Sequence, residues 1–317
     1  MKKEGPVREQ PLVTVALPTY KRPHLLSDAL ESISQQTYRS LEVLVMDDAT
    51  PGTENEGIAR SFKDKIPGLI YEKHSQNRGY EKTYLHCLEK ARGEFFILLA
   101  DDDEIPPSYV EACVDTLQAH PEALFSSVYI RSLFAPHPSR PEDTMMTFPA
   151  IYMENSWFRR VFTYAVLDYF RDNWEGRQTM YYAVHRTAPF LDAVKTSMER
   201  FFHNRDSFHD SIFFFEMLLR GKVIPVIKEE ATYTWIGYTQ KEYGDRSESS
   251  DFWANQINKI KLMWDYTIAH MNYIQRVYEV GGWRYALPFS VGIMAVLSHM
   301  FCSALYKQVK LRLKKIC

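Results

Sequence analysis

Cysteine is scarce in this chain: there are four in 317 residues, at positions 87, 113, 302 and 317, and no two have CxxC spacing. That leaves no framework for a disulfide-stapled scaffold or a zinc ribbon, and a reducing, cytosolic setting is expected. A basic excess is missing too. Lys and Arg number 38 against 40 Asp and Glu, for a net charge of -2, so no global field draws nucleic acid and no nucleic-acid partner is expected. The opening MKKEGPVREQ has neither the long apolar stretch nor the small-residue cleavage site of a signal peptide. No internal repeat or low-complexity tract occurs. The loop after the first apolar run reads Pro18-Thr19-Tyr20-Lys21-Arg22-Pro23, which lacks the glycines that a sugar nucleotidyltransferase places there. A receiver-type signalling domain is disfavoured as well, because a whole strand and helix precede Asp47 and no Lys-Pro dipeptide follows it. A catalytically silent carbohydrate-binding or scaffold protein stays open, since aromatic rings bind sugars without turning them over.

What is present is a chain with 45% hydrophobic and 14% aromatic residues, enough for one sizeable core and a smaller second unit. Leu12 to Leu17 is a short β-branched run, followed by Leu25, Leu26, Ala29, Leu30 and Ile33 at helical spacing. The rhythm repeats: a run from Leu41 to Met46, a helical pattern, a strand near Leu69 to Glu72, and a helix closing at Gly93. The almost wholly apolar Phe95 to Leu99 then predicts a central strand buried on both faces. Alternating strands and helices predict a mainly parallel α/β sheet, whose ligands sit outside the carboxyl ends of the strands. From Phe134 to Trp174 the pattern weakens amid prolines, and we read this stretch as an excursion over the active-site face. Periodicity returns as a strand over Thr179 to Val184 and as a helix over Asp210 to Leu219.

Two acidic clusters fall at predicted strand ends. Asp101, Asp102 and Asp103 repel one another unless a cation or donors neutralise them, and hard carboxylate oxygens suit Mg²⁺ or Mn²⁺. The competing reading is a solvated acidic turn. Asp47 and Asp48 end the second strand, where a carboxylate can accept from a base N–H or a ribose hydroxyl. With Pro18, Thr19, Tyr20 and Arg22 after the first strand, these groups share one rim, and Tyr20 offers a ring to stack on a base.

These segments resemble the inverting glycosyltransferases of family 2, which have the GT-A fold. The matching residues are Val13-Thr-Val-Ala-Leu-Pro-Thr-Tyr20, Ser34-Gln-Gln-Thr-Tyr38, Leu41-Glu-Val-Leu-Val-Met-Asp-Asp48, Asn77-Arg-Gly79, Ala91-Arg-Gly-Glu-Phe95 and Leu98-Leu-Ala-Asp-Asp-Asp103, with Pro107 beyond. The resemblance implies a nucleotide-sugar donor, with UDP the favoured carrier. Pro18, Tyr20 and Asp48 would hold the base, with Thr19, Arg22, Asp47 and Asn77 beside them. Arg78 would lie near the diphosphate, Asp101 would hold the ribose, and Asp102 with Asp103 would ligate Mn²⁺ or Mg²⁺. Many members carry an acid at the position of Ala100, whereas here the acids begin one residue later. Some members share that form, so a metal is still implied.

Inverting transfer needs a base beside the acceptor hydroxyl. Phe208-His209-Asp210-Ser-Ile-Phe-Phe-Phe-Glu216 resembles the family's base site, with Asp210 at the base position and His209 where an acid often stands. An ordinary helix cap is the alternative for Asp210, and the two roles are compatible. Trp174, Glu175 and His185 match regions that meet or underlie the acceptor. Family members often offer a histidine past the base. Ala231 to Tyr238 has none, leaving Tyr233, Trp235, Lys241 and Tyr243 as lid candidates.

The resulting division is a tail at 1–11, a nucleotide-sugar-binding half at 12–130, an acceptor-binding and catalytic half at 131–250, and a helical extension at 251–317. Within that extension Ala286 to Leu305 is apolar, approaching the ~20 residues that cross a bilayer, but it contains Pro288, Gly292 and His299. Lys307, Lys310, Arg312, Lys314 and Lys315 follow. Peripheral attachment to an anionic cytosolic leaflet is the reading adopted, with a buried helix and a true span as alternatives. Such attachment suits a lipid-linked glycan acceptor. Oligomeric state leaves no signature in the sequence.

Overall fold

A computed structural model of the chain describes residues 10–128, 130–132, 144–146, 153–167, 183–201, 210–226, 233–235 and 271–313. Its first part alternates strand and helix: β1 (Val13–Thr19), α1 (Pro23–Ser34), β2 (Leu41–Asp47), α2 (Glu54–Ser61), β3 (Leu69–Lys73), α3 (Tyr80–Lys90), β4 (Phe95–Leu98), α4 (Tyr109–Ala119) and β5 (Ala123–Val128). Then come β6 (Ile130–Ser132), β7 (Thr144–Met146), α5 (Trp157–Phe162) with a π turn at Thr163–Leu167, β8 (Ala183–Arg186), α6 (Thr187–Phe201), α7 (Asp210–Arg220), β9 (Lys222–Val226) and β10 (Tyr233–Trp235). A helix over residues 271–281 (α8) and the long α9 (Trp283–Leu313) complete the described chain.

Seven strands form the main sheet in the order β3-β2-β1-β4-β8-β5-β9. Every pairing is parallel except the two made by β8, which runs antiparallel to β4 and β5. The mainly parallel α/β expectation therefore holds, with β4 central. Its four residues Phe95, Phe96, Ile97 and Leu98 are all buried because they alternate between two cores. Phe95 and Ile97 join Leu26, Leu30 and Ile33 of α1 and Cys113 and Leu117 of α4. Phe96 and Leu98 join Tyr84 and Leu88 of α3, Phe190 of α6, Phe213 and Phe215 of α7 and Phe289 of α9. Each such side chain contributes about 1.5–3 kcal/mol on burial, so the two cores clamp β4 and hold its end still.

A turn before β4 is equally constrained. A Cβ on Gly93 would lie 2.5 Å from Thr14 N and 2.8 Å from Leu12 O, so only glycine permits this approach to β1. Nearby, buried Glu42 accepts from Thr14 Oγ1 at 2.8 Å and from Arg92 N at 3.0 Å and pairs with the Arg92 guanidinium. These contacts set the β1–β4 register and so the level at which β4 delivers the acidic triplet.

The segment read as an excursion contains β7, which pairs with β6 just before it, and β6 also pairs with β10, making a second, three-stranded sheet. Strands of three residues leave almost no periodicity, which is why the sequence reading contained no such sheet. The two lid candidates Tyr233 and Trp235 belong to β10, while Lys241 and Tyr243 lie outside the described residues.

Helix α9 continues through Pro288 without a break. Ala286, Phe289, Ile293 and Val296 are buried in the core, whereas Trp283, Leu287, Val291 and Met294 on the opposite face are exposed. Among the described residues no helix is long and apolar enough to cross a membrane. The span considered for this segment is thereby corrected: one face packs on the domain, and serines and His299 interrupt the rest.

Candidate functional site

The strand order reverses between β1 and β4, and such a switch point opens a crevice at the carboxyl ends of the strands. The β1–β4 register ends at Ala16 with Leu98, while β1 stays paired to β2 through Thr19 with Asp47. Buried Pro18 sits where β4 has left, and having no N–H it leaves no orphan donor in the gap.

Thr19 closes this gap from one side. Its hydroxyl donates to Asp101 Oδ2 at 2.7 Å, and Arg22 Nη1 lies 3.1 Å from Asp101 Oδ1 and 3.1 Å from Asp102 Oδ2. Asp101 is buried, and burial pushes its carboxyl up to about 6 despite the Thr19 hydrogen bond and the Arg22 charge, with Asp102 adding to the rise. Asp102 is more open. Asp103 is buried, its N–H bonded to Ala100 O at 3.1 Å, so of the triplet Asp102 stands nearest to solvent.

The second cluster divides its labour because successive strand residues point to opposite faces. Asp47 is fully buried and accepts from Thr50 N at 2.7 Å, Asn55 Nδ2 at 3.1 Å and Tyr71 OH at 2.8 Å. The expectation that Asp47 meets the nucleotide is not carried forward, since its oxygens shape the loop after β2. Burial and the Asp47 hydrogen bond raise the Tyr71 hydroxyl. Asp48 Oδ1 accepts from Arg78 N at 2.8 Å, and Oδ2 from Gly79 N at 2.9 Å. Burial opposes its charge, but those amides and His74 outweigh it and hold the carboxyl below its ordinary range. Asn77 Oδ1 also accepts from Gly79 N, at 3.1 Å, and Gly79 has a φ of 85° that favours glycine.

Lys21 and Ala49 occupy left-handed backbone at φ 58° and 66°, one after each strand end. Each costs about 1–2 kcal/mol, and the Lys21 N–H to Thr50 Oγ1 bond of 2.9 Å helps to hold them. The outcome is an outward Tyr20 ring, 38% exposed, with the Lys21 ammonium 4.8 Å from its centroid. Asn77 and Arg78 are exposed on the same rim.

The structure thus gathers Pro18, Thr19, Tyr20, Arg22, Asp48, Asn77, Arg78, Asp101 and Asp102. It keeps His185 elsewhere: this ring is buried, stacked 3.9 Å from Phe190 and 5.2 Å from Phe125. A sugar could reach it only by parting those aromatics, so the acceptor contact expected of His185 is corrected to a core position. Asp210 begins α7. His209, Trp174 and Glu175 lie outside the described residues. Sequence reasoning missed Thr50, Asn55, Tyr71, His74 and His86. Only the polar interruption after β3 signalled His74, and a lone histidine is more often core than site.

Among the described residues no three His, Cys, Asp or Glu side chains converge into a metal cage. The donor set nevertheless suits Mg²⁺ or Mn²⁺, which bind through one or two carboxylates plus substrate phosphates, and Asp102 supplies a hard oxygen at the rim.

Residues 14–186 match the family described as Glycosyl transferase family 2. An uncharacterized glycosyltransferase of Rickettsia bellii is 32% identical over 108 residues, covering 34% of this chain and 15% of that protein. A Campylobacter jejuni GalNAc(5)-diNAcBac-PP-undecaprenol beta-1,3-glucosyltransferase is 32% identical over 97 residues, 30% of this chain and 31% of that one. The matched segment therefore spans less than a third of either relative's length. Among solved structures, S. aureus TarS 1-349 in complex with UDP-GlcNAc shares the fold at a TM-score of 0.55 and 17% identity, over 83% of this chain and 66% of that one. TarS 1-349 by itself gives 0.54 and 14%, over 92% of each chain.

Proposed function

Since this chain belongs to glycosyl transferase family 2, we propose that it moves a sugar from a nucleoside diphosphate, with UDP as carrier, onto a glycan or lipid-linked glycan, inverting the anomeric carbon. The observation that carries this is the joint placement of Thr19, Arg22, Asp101 and Asp102 at the switch point between β1 and β4. UDP is favoured because TarS, of the same fold, has been solved with UDP and with UDP-GlcNAc.

Tyr20 offers its ring to the base, and Asp101 accepts from the ribose hydroxyls. Arg22 and Arg78 meet the diphosphate with planar guanidinium donors. Asp48 acts through the amides of Arg78 and Gly79, holding their turn against the rim. Asp102 would hold Mn²⁺ or Mg²⁺, which when bound neutralises charge on the departing diphosphate. Asp210 takes the acceptor hydroxyl's proton as that oxygen bonds to the anomeric carbon and the carbon–phosphate-oxygen bond breaks, its electron pair leaving with the diphosphate. The exposed stripe of α9 and the basic residues after it favour an enzyme resting on the cytosolic membrane face, where a lipid-linked acceptor is met.

Calorimetric titration with UDP, GDP and CMP in the presence of Mn²⁺ tests the donor half of this reading. Micromolar to millimolar UDP binding is expected; binding of none of the three refutes it.

A further inference from the structure

A line of hydrogen-bonded side chains runs from the rim to the outer face of α3. Asp48 Oδ1 is 3.1 Å from His74 Nδ1, and His74 Nε2 is 2.9 Å from His86 Nδ1, with the two rings stacked at 5.1 Å. His86 Nε2 is 3.8 Å from Glu72 Oε1, and Glu72 also pairs with Lys90. His74 is buried and His86 partly so. Neither histidine has a part in the transfer scheme above.

Proton counting restricts this line. Asp48 is ionised, so His74 Nδ1 carries the hydrogen that faces it. With no further proton, His74 Nε2 accepts from His86 Nδ1. With one extra proton on the pair, Nε2 donates to His86 Nδ1, and His86 Nε2–H points at Glu72. Both states keep the contact between the rings. A second extra proton sets N–H groups face to face across 2.9 Å and breaks it.

We propose that His74 and His86 are positioning residues for donor binding: while they share at most one extra proton they brace Asp48, and through it the Asn77–Gly79 turn, in the nucleotide-receptive geometry. A second proton releases that brace. The charged groups facing the pair are Asp48 from the end of β2, Glu72 from β3, Lys90 from α3 and Arg78 from the turn before α3. Burial lowers His86 below the ordinary histidine range, Glu72 opposes this, and His74, Lys90 and Arg78 reinforce it, so release needs a pH below that range. The inference rests on reading the rim as the donor site.

The test is UDP affinity at pH 7.5 and 5.0 for the full chain and two variants, each checked for folding by circular dichroism. In His74→Asn the amide nitrogen replaces Nδ1 as donor to Asp48 and cannot gain a proton. Wild type should weaken about fivefold more than His74→Asn between the two pH values, a comparison that cancels the titration of the diphosphate itself. At pH 7.5 His74→Asn should bind within about threefold of wild type and His74→Leu about tenfold more weakly, a step of ~1.4 kcal/mol. Parallel pH responses in wild type and His74→Asn overturn the inference, as does undiminished binding by His74→Leu. If no protein binds UDP, the donor reading itself falls; UDP binding indifferent to both substitutions removes only the positioning role.

Discussion

A single guanidinium nitrogen of Arg22 stands 3.1 Å from Asp101 Oδ1 and 3.1 Å from Asp102 Oδ2, joining the first loop of the chain to the end of its central strand. That nitrogen offsets two adjacent carboxylates, one of them buried. Arg22→Gln keeps hydrogen-bonding capacity but removes the charge, and it should weaken UDP binding about tenfold. Arg22→Lys should recover part of the loss. Calorimetry at fixed Mn²⁺ reads both, and unchanged affinity in Arg22→Gln would place the diphosphate elsewhere.

Asp48 makes a pH-dependent contribution whose sign follows from its lowered carboxyl. A depressed acid stabilises the fold above its unfolded value of about 3.9, and that stabilisation is lost as pH falls through the lower folded value. Asp48→Ala should therefore be less stable than wild type above about pH 5, with the gap closing as pH falls below about pH 4. Urea melts across this range measure it.

Glu216 is fully buried in α7, held by Arg220 Nη1 at 2.5 Å and by Arg276 Nε of α8 at 2.8 Å. Glu216→Ala leaves two partly buried arginines without their common partner and should cost about 3 kcal/mol. Because α7 begins at Asp210, the same change should depress turnover before it unfolds the protein. Thermal melts and turnover rates on one preparation check both effects.

The exposed residues Trp283, Leu287, Val291 and Met294 recur every third or fourth position, on the face of α9 opposite the core. Replacing Leu287 and Val291 with Ser should cut co-sedimentation with anionic lipid vesicles severalfold while leaving UDP affinity unchanged. Equal sedimentation of wild type and the double variant would contradict membrane contact through this face.

Much of the sheet was legible in the sequence, because β1, β2 and β4 are buried on both faces and read as mainly apolar runs, interrupted only by Thr14 and Glu42, that end in polar residues. The antiparallel course of β8 was not: strand direction is set by the chain's long path between β5 and β8, on which local composition is silent. The inward turn of Asp47 followed from strand alternation once β2 was known to extend to it. The His74–His86 contact joins a strand end to a helix twelve residues on, and nothing in either segment alone announces the pairing.

The central claim is transfer from a nucleotide sugar with Asp210 as base, and the direct measurement is UDP release from a panel of UDP-sugars with Mn²⁺ and candidate glycan acceptors, for wild type and Asp210→Asn. The account predicts turnover by wild type with at least one donor, and a loss of about 10²–10⁴-fold in Asp210→Asn at unchanged UDP affinity. Equal rates for the two proteins would remove Asp210 from the chemistry, and UDP binding with no turnover of any donor would make the protein a binder rather than a transferase.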